Sequence, residues 1–245
     1  MKPLISLLLI LLIGCSASPI SVSVNDRHLA EVAMVNGRPQ SAVAIYQSLL
    51  QSAPQDVELL YLLGSAYNLS GEYEMALHHL TDASRINHEA GYASRGEILR
   101  EIGRARLASG DIPEAMKALK QASSLLPDDA ITYNTLGVCY ALNQTYQQAR
   151  EAFNAALVIE PSSLEYRNNL ALAWILDDKP QQGINVIYPS YLRGKSTAKL
   201  RQNLALAFAM KGDMEAAKTI AKQDLTKAEL ARNLDFYGQW QVRAL

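Results

Sequence analysis

A period of 34 residues governs this chain. Laid in register from residues 23, 57, 96, 130, 164 and 198, six segments place a small residue at their eighth position: Ala30, Gly64, Gly103, Gly137, Ala171 and Ala205. Their twentieth position is small as well, with Ala42, Ala76, Ala115, Ala149, Gly183 and Ala217. Alanine and glycine make up about one residue in five of the chain, so small side chains at all twelve places reflect a steric requirement. Two helices that cross at these positions can approach closely, whereas a larger side chain would hold them apart. Gly37, Gly71, Gly110 and Gly212 fall between the two helices of their units, where a chain leaving a helix favours a left-handed residue. Pro54, Pro127 and Pro161 stop the second helix before the next unit begins. Beyond about residue 24 there is no long run of alternating β-branched residues of the kind that marks strands. The prediction is an all-α chain of helical hairpins, each leaving one apolar face wet until the next stacks on it and a superhelix results.

The segment "ITYNTLGVCYALNQTYQQAREAFNAALVIEPSS", residues 131 to 163, carries the most complete copy. Its Tyr133, Leu136, Gly137, Tyr140, Ala149, Phe153, Ala156 and Pro161 resemble the tetratricopeptide (TPR) repeat at all eight signature places. The resemblance implies a TPR superhelix over residues 25–245, with six units of a helix A and a helix B. Four of the five steps between units are 34 residues and the step from 57 to 96 is 39. The extra residues, around 86 to 96, are expected to lengthen helix B of the second unit or its loop. Pro189 is expected to cut helix B of the fifth unit near Tyr188, leaving Tyr191 and Leu192 in a connecting segment. An amphipathic stretch at 227–242 would cap the open end, giving thirteen helices in all.

Ahead of the repeats, Lys2 precedes an apolar run from Leu4 to Ile13, about half of what a bilayer's hydrocarbon core requires. A charged start, a short apolar run and a small residue describe a secretory signal, here residues 1–14. Its ending, Leu12, Ile13, Gly14 and Cys15, resembles the lipobox of bacterial lipoproteins. That resemblance implies an acylated Cys15 as the first residue of the mature protein, with residues 15–24 as a linker. Each buried methylene adds about 0.8 kcal/mol of membrane affinity, so several acyl chains anchor firmly. Ser16, where an aspartate would signal retention, implies the inner leaflet of the outer membrane, facing the periplasm.

Nothing in the sequence asks for a cofactor, a metal or a small-molecule substrate. His28, His78, His79 and His88 are the only histidines, and neighbours such as His78 and His79 diverge on a helix, which makes them poor joint metal ligands. Cys139 is the only cysteine besides Cys15, which excludes an internal disulfide in the mature chain if Cys15 is acylated. It falls at a packing position of its helix A and is expected to be buried. No phosphate-binding glycine loop, HExxH or GxSxG is present. A formal net charge of -1 gives no electrostatic case for nucleic acid. The chain is therefore expected to be no enzyme and to work through its surface.

In the TPR fold, positions 2, 5, 9 and 12 of successive A helices face the concave groove. The early units place Arg27, Tyr61, Asn68, Arg100 and Arg104 there; the later ones place Asn134, Asn168, Leu172, Ile175, Gln202 and Leu206. A charged entrance leading to an apolar trough with amide side chains suits a partner segment that buries apolar residues and offers its backbone to the amides. The other occupant open at this point is the chain's own last helix, whose Leu230, Leu234, Phe236 and Tyr237 could fill the trough.

The stretch "LRQNLALAFAMKGDMEAAKTIAKQDLTKAELARNLDFY", residues 200 to 237, with "IYPSYL" before it, is similar to the TPR lipoproteins of tight-adherence (Flp) pilus assembly systems, the TadD-like group. Arg201 to Ala205 and the Asn233, Leu234, Tyr237 ending carry the likeness. It implies a pilotin-like factor that places the pilus secretin at the outer membrane. A different lipidated TPR adaptor, serving barrel assembly or cell-wall hydrolases, shares every other feature.

Overall fold

The computed structural model describes residues 24–86 and 95–243. Among them the chain forms thirteen helices and no strand. The six A helices are α1 (Val24–Val35), α3 (Val57–Ser70), α5 (Arg95–Ala108), α7 (Ala130–Leu142), α9 (Leu164–Leu176) and α11 (Ala198–Met210). The B helices between them are α2 (Pro39–Ser52), α4 (Tyr73–Ile86), α6 (Ile112–Leu125), α8 (Tyr146–Ile159), α10 (Pro180–Leu192) and α12 (Met214–Ala221). The last helix, α13 (Lys227–Arg243), packs on α11 and α12. The fold is an all-α TPR superhelix.

Local chemistry sets these boundaries. Asp56, Asp129, Ser163, Thr197 and Asp213 each accept a hydrogen bond from the backbone N–H three residues on, satisfying a donor that the first turn leaves free. Gly37, Gly71, Gly110 and Gly212 close the A helices at positive φ. The fourth and fifth units have no glycine there and force Gln144 (φ 58) and Asp178 (φ 54) into the same left-handed conformation. A Cβ is strained in that region. Gln144→Gly is thus expected to raise stability by about 0.5–1 kcal/mol, read as a melting temperature higher by about 2 °C.

The small residues lie where the helices of each hairpin meet. Ala30, Ala42, Ala76, Ala115, Ala149, Ala171, Ala205 and Ala217 are all fully buried. A methyl added to Gly64 would lie 2.5 Å from Leu80 Cγ, one on Gly103 2.5 Å from Leu119 Cγ, and one on Gly137 2.6 Å from Phe153 Cε1. Each glycine is thus the socket for the large residue one helix away.

Each A helix after α1 also packs on the B helix before it, and the A helices from α3 to α11 touch in succession. Among the described residues no two B helices pack together to that extent. The array therefore curves with its A layer inside, and the concave face is built from α3, α5, α7, α9 and α11.

One expectation meets a different outcome. Pro189 does not end its helix: α10 continues to Leu192 and includes Tyr191. Proline removes one N–H and crowds the carbonyl four residues back. Pro189 and Asn185 both lie on the exposed side, so water can serve the carbonyl that loses its partner, while Ile184, Ile187 and Ser190 stay buried opposite. The insertion, expected to lengthen helix B of the second unit or its loop, does not show in the described part of that helix. Helix α4 has 14 residues, like α2, α6 and α8, and residues 87–94, where the extra length falls, lie outside the described residues.

Candidate functional site: the concave face

Positions 5 and 6 of the A helices meet across unit boundaries. Asn169 Nδ2 donates to Asn134 Oδ1 and Asn203 Nδ2 to Asn168 Oδ1, both at 2.9 Å. The two rungs share a step of 35 residues, one repeat plus one. Asn134 also donates to Glu165 at 3.4 Å. Asn134, Asn168 and Asn169 are buried, so these amides join units four to six. A hydrogen bond of this kind contributes about 1 kcal/mol, and orphaning a buried partner costs more.

Earlier in the array the joint is ionic. Glu101, 3% exposed, receives Arg100 Nε at 3.1 Å, Arg104 Nη1 at 3.0 and 3.1 Å, and Asn68 Nδ2 at 3.1 Å. Asn68 donates to the Glu101 carbonyl as well. Arg100 reaches on to Asp129 at 3.2 Å and to the Tyr61 hydroxyl at 3.3 Å. Burial pushes the Tyr61 phenol up, with Glu101 adding to the effect. Arg27 bridges Asp56, the N-cap of α3, and Glu58 in its first turn.

The residues placed on the groove by sequence thus divide. Arg27, Tyr61, Asn68, Arg100, Asn134 and Asn168 face inward but are bonded to neighbouring units, and Arg104 is bonded to Glu101 on its own helix. Leu172 is half-buried and Gln202 is exposed. Leu206 is half-buried in a cluster with Leu230, Leu234 and Tyr237 of α13. The last helix thus packs on α11 and shares this cluster with Leu206, while Leu172 lies outside it. Ile175 is not on the trough, being 1% exposed. The cause is Gly183: a methyl there would sit 2.7 Å from Ile175 Cγ1, so the missing side chain admits Ile175 to the core. Cys15 lies outside the described residues.

Sequence reasoning missed Glu101, Asn169 and Asn203. Their signal was a polar residue at position 6, directly after the groove position, in the third, fifth and sixth units.

The concave face also keeps open surface of mixed polar and apolar character. A pocket of about 270 Å³ spans α3, α5 and α7, lined by Asn68, Tyr73, Arg104, Leu107, Ala108, Asn134, Thr135 and Val138. Beyond it Val138, Ala141 and Leu172 are half-buried, and Leu142 and Leu176 are 57% and 43% exposed. On the outer side, α2 and α4 flank a second pocket of about 650 Å³ that includes His78 and His79. The His79 ring stacks on Tyr67 at 5.6 Å, and burial followed by His78 lowers its pKa. Cys139 is buried, and desolvation pushes its thiol up to about 11, which leaves it protonated and poorly nucleophilic near neutrality.

A curved stack of helical hairpins with an apolar strip on its inner layer defines a helical-repeat scaffold. Two tetratricopeptide repeat models match residues 33–94 and 100–163, together just over half of the chain. The chain belongs to the tetratricopeptide repeat proteins, a family of scaffolds for protein–protein contact. It is 26% identical over 135 residues to the general transcriptional corepressor trfA of Dictyostelium discoideum, a match covering 54% of this chain and 9% of that protein. The chain spans a quarter or less of the length of the curated relatives it matches. Among solved structures it is similar to a chain of the APC/C Cut9–Hcn1 hetero-tetramer, with TM-score 0.72, 18% identity, and coverage of 90% of this chain and 42% of that one. It is also similar to pilF of Pseudomonas aeruginosa, with TM-score 0.65, 15% identity, and coverage of 81% and 88%. At these identities the likeness is one of fold.

Proposed function

We propose that this chain is an acyl-anchored adaptor at the periplasmic face of the outer membrane that assists assembly of a tight-adherence (Flp) pilus. Its client is a segment of the pilus secretin or of another assembly component. The observation that carries the client reading is the apolar strip in which the half-buried groove residues Val138, Ala141 and Leu172 adjoin the exposed Leu142 and Leu176. Its polar neighbours are already bonded to one another, so a client gains affinity there by burying apolar side chains. The lipobox supplies the anchor. Eight residues separate Cys15 from α1, a reach of at most about 28 Å. The first unit is thus held beside the bilayer while later units extend toward a client.

The test is made in whole cells. A photo-crosslinking residue at Gln202 is expected to capture the secretin or an associated pilus protein, and Leu172→Asp to abolish that capture. Cys15→Ser is expected to eliminate palmitate labelling. Label retained in Cys15→Ser overturns the anchor; capture of a barrel-assembly factor or a cell-wall hydrolase instead overturns the pilus assignment. Capture unaffected by Leu172→Asp overturns the trough.

A further inference from the structure

Charge on the rim of the groove changes sign along the array. At the second position of the A helices the rim carries Glu58, Glu97 and Glu165, then Lys199. The preceding loops likewise carry Asp56, Asp128 with Asp129, and Glu160, then Lys195. Arg201 draws the last of these elements together. Its Nε donates to Asp224 at 2.7 Å and its Nη1 to the Ser196 carbonyl and hydroxyl at 2.8 and 3.1 Å. The loop before α11 and the end of α12 thus meet at one corner, and Gln223 fastens it to the Tyr191 hydroxyl at 2.7 Å.

Lys195, Lys199 and Lys222 stand around this corner, exposed and without an ion pair among the described residues. The corner's own carboxylates are engaged. Asp224 is held by Arg201, and Glu229 accepts from the Thr226 N–H and hydroxyl. The start of α11 adds the positive end of a helix dipole. Along α11, the exposed Lys199 and Gln202 recur at helical spacing on one face, ahead of Leu206 in the cluster shared with α13, so the basic corner borders the concave face. Elsewhere Lys117 pairs with Glu114, and Lys179 with Asp177.

We infer that the segment held in the trough is acidic where it meets the sixth unit and apolar where it crosses the fourth and fifth. This rests on the proposed client-binding groove and names the chemistry of its occupant. The basic corner steers and orients an acidic end, and the apolar strip binds the adjoining hydrophobic residues. Anionic lipid is the competing ligand. The corner lies at the opposite end of the array from the proposed anchor, which favours a polypeptide.

The test uses the full chain in mild detergent and fluorescent 16-residue peptides sharing one leucine-rich core, with three glutamates or three lysines at either end. At 20 mM salt the better glutamate peptide is expected to bind about tenfold tighter than either lysine peptide. The gap should close at 0.5 M salt, where screening is effective within about 4 Å. Lys195→Glu with Lys199→Glu, both at exposed positions, is expected to abolish or reverse the preference. Equal binding of all peptides at low salt, or a preference unmoved by the charge reversal, overturns the inference while leaving the groove reading in place. Absence of binding by every peptide overturns both. If the charge reversal instead removes co-sedimentation with phosphatidylglycerol vesicles and leaves peptide binding unchanged, the corner is a lipid contact and the inference fails.

Discussion

Glu101→Ala is expected to cost about 3 to 5 kcal/mol, because it strips a buried carboxylate from three donors that stay behind. Glu101 is 3% exposed. It holds Arg100, whose side chain is 13% exposed, Arg104 at 34%, and the buried Asn68 amide. Asp129 still serves Arg100 in the variant, whereas Arg104 and Asn68 lose their carboxylate partner. The joint it secures is the one between the second and third units, beside the 39-residue step. In a repeat array stability is a sum over units and interfaces, so the loss should be local. Hydrogen exchange is expected to rise in α3 and α5 well before α9. Removing charge on both sides, as Glu101→Met with Arg104→Met, should recover part of the loss, since no uncompensated ion then remains. A cost below 1 kcal/mol in urea denaturation would sink this account of the joint.

The same residues explain what the sequence made legible and what it hid. Positions 8 and 20 were readable because their requirement is steric and repeats identically: any large side chain there separates two helices. The A–B turns were readable through glycine, yet Gln144 and Asp178 occupy the same left-handed site without announcing it. Pro189 misled because composition tells nothing of which way a residue faces, and a proline on the wet side of a helix leaves its orphan carbonyl to water. The groove was half legible. Its placement on the A helices followed from periodicity, but whether Asn134 or Arg104 is free depends on a neighbour 35 or 3 residues away. Ile175 was hidden for a related reason, since its burial is decided by a missing side chain on another helix, at Gly183.

Gly137→Leu is expected to cost about 3 kcal/mol, at the upper end of overpacking in a filled core. The first added atom alone would stand 2.6 Å from Phe153 Cε1 and 2.7 Å from Cδ1. Phe153 is 2% exposed and packs with Ala149, Leu170 and Ala173, so the ring has nowhere to retreat. The helices α7 and α8 must therefore part, and Asn134 on α7 moves away from Asn169 on α9, orphaning a buried amide rung. The sixth unit indicates one remedy. Where position 8 carries alanine in the sixth unit, the facing residue is Ala221, 1% exposed, instead of an aromatic ring. Gly137→Ala combined with Phe153→Leu should accordingly cost less than the two changes summed, a coupling that a double-mutant cycle reads directly. An unchanged melting temperature in Gly137→Leu would mean that the helices do not meet at position 8, and with that the shared register of all six hairpins would be lost.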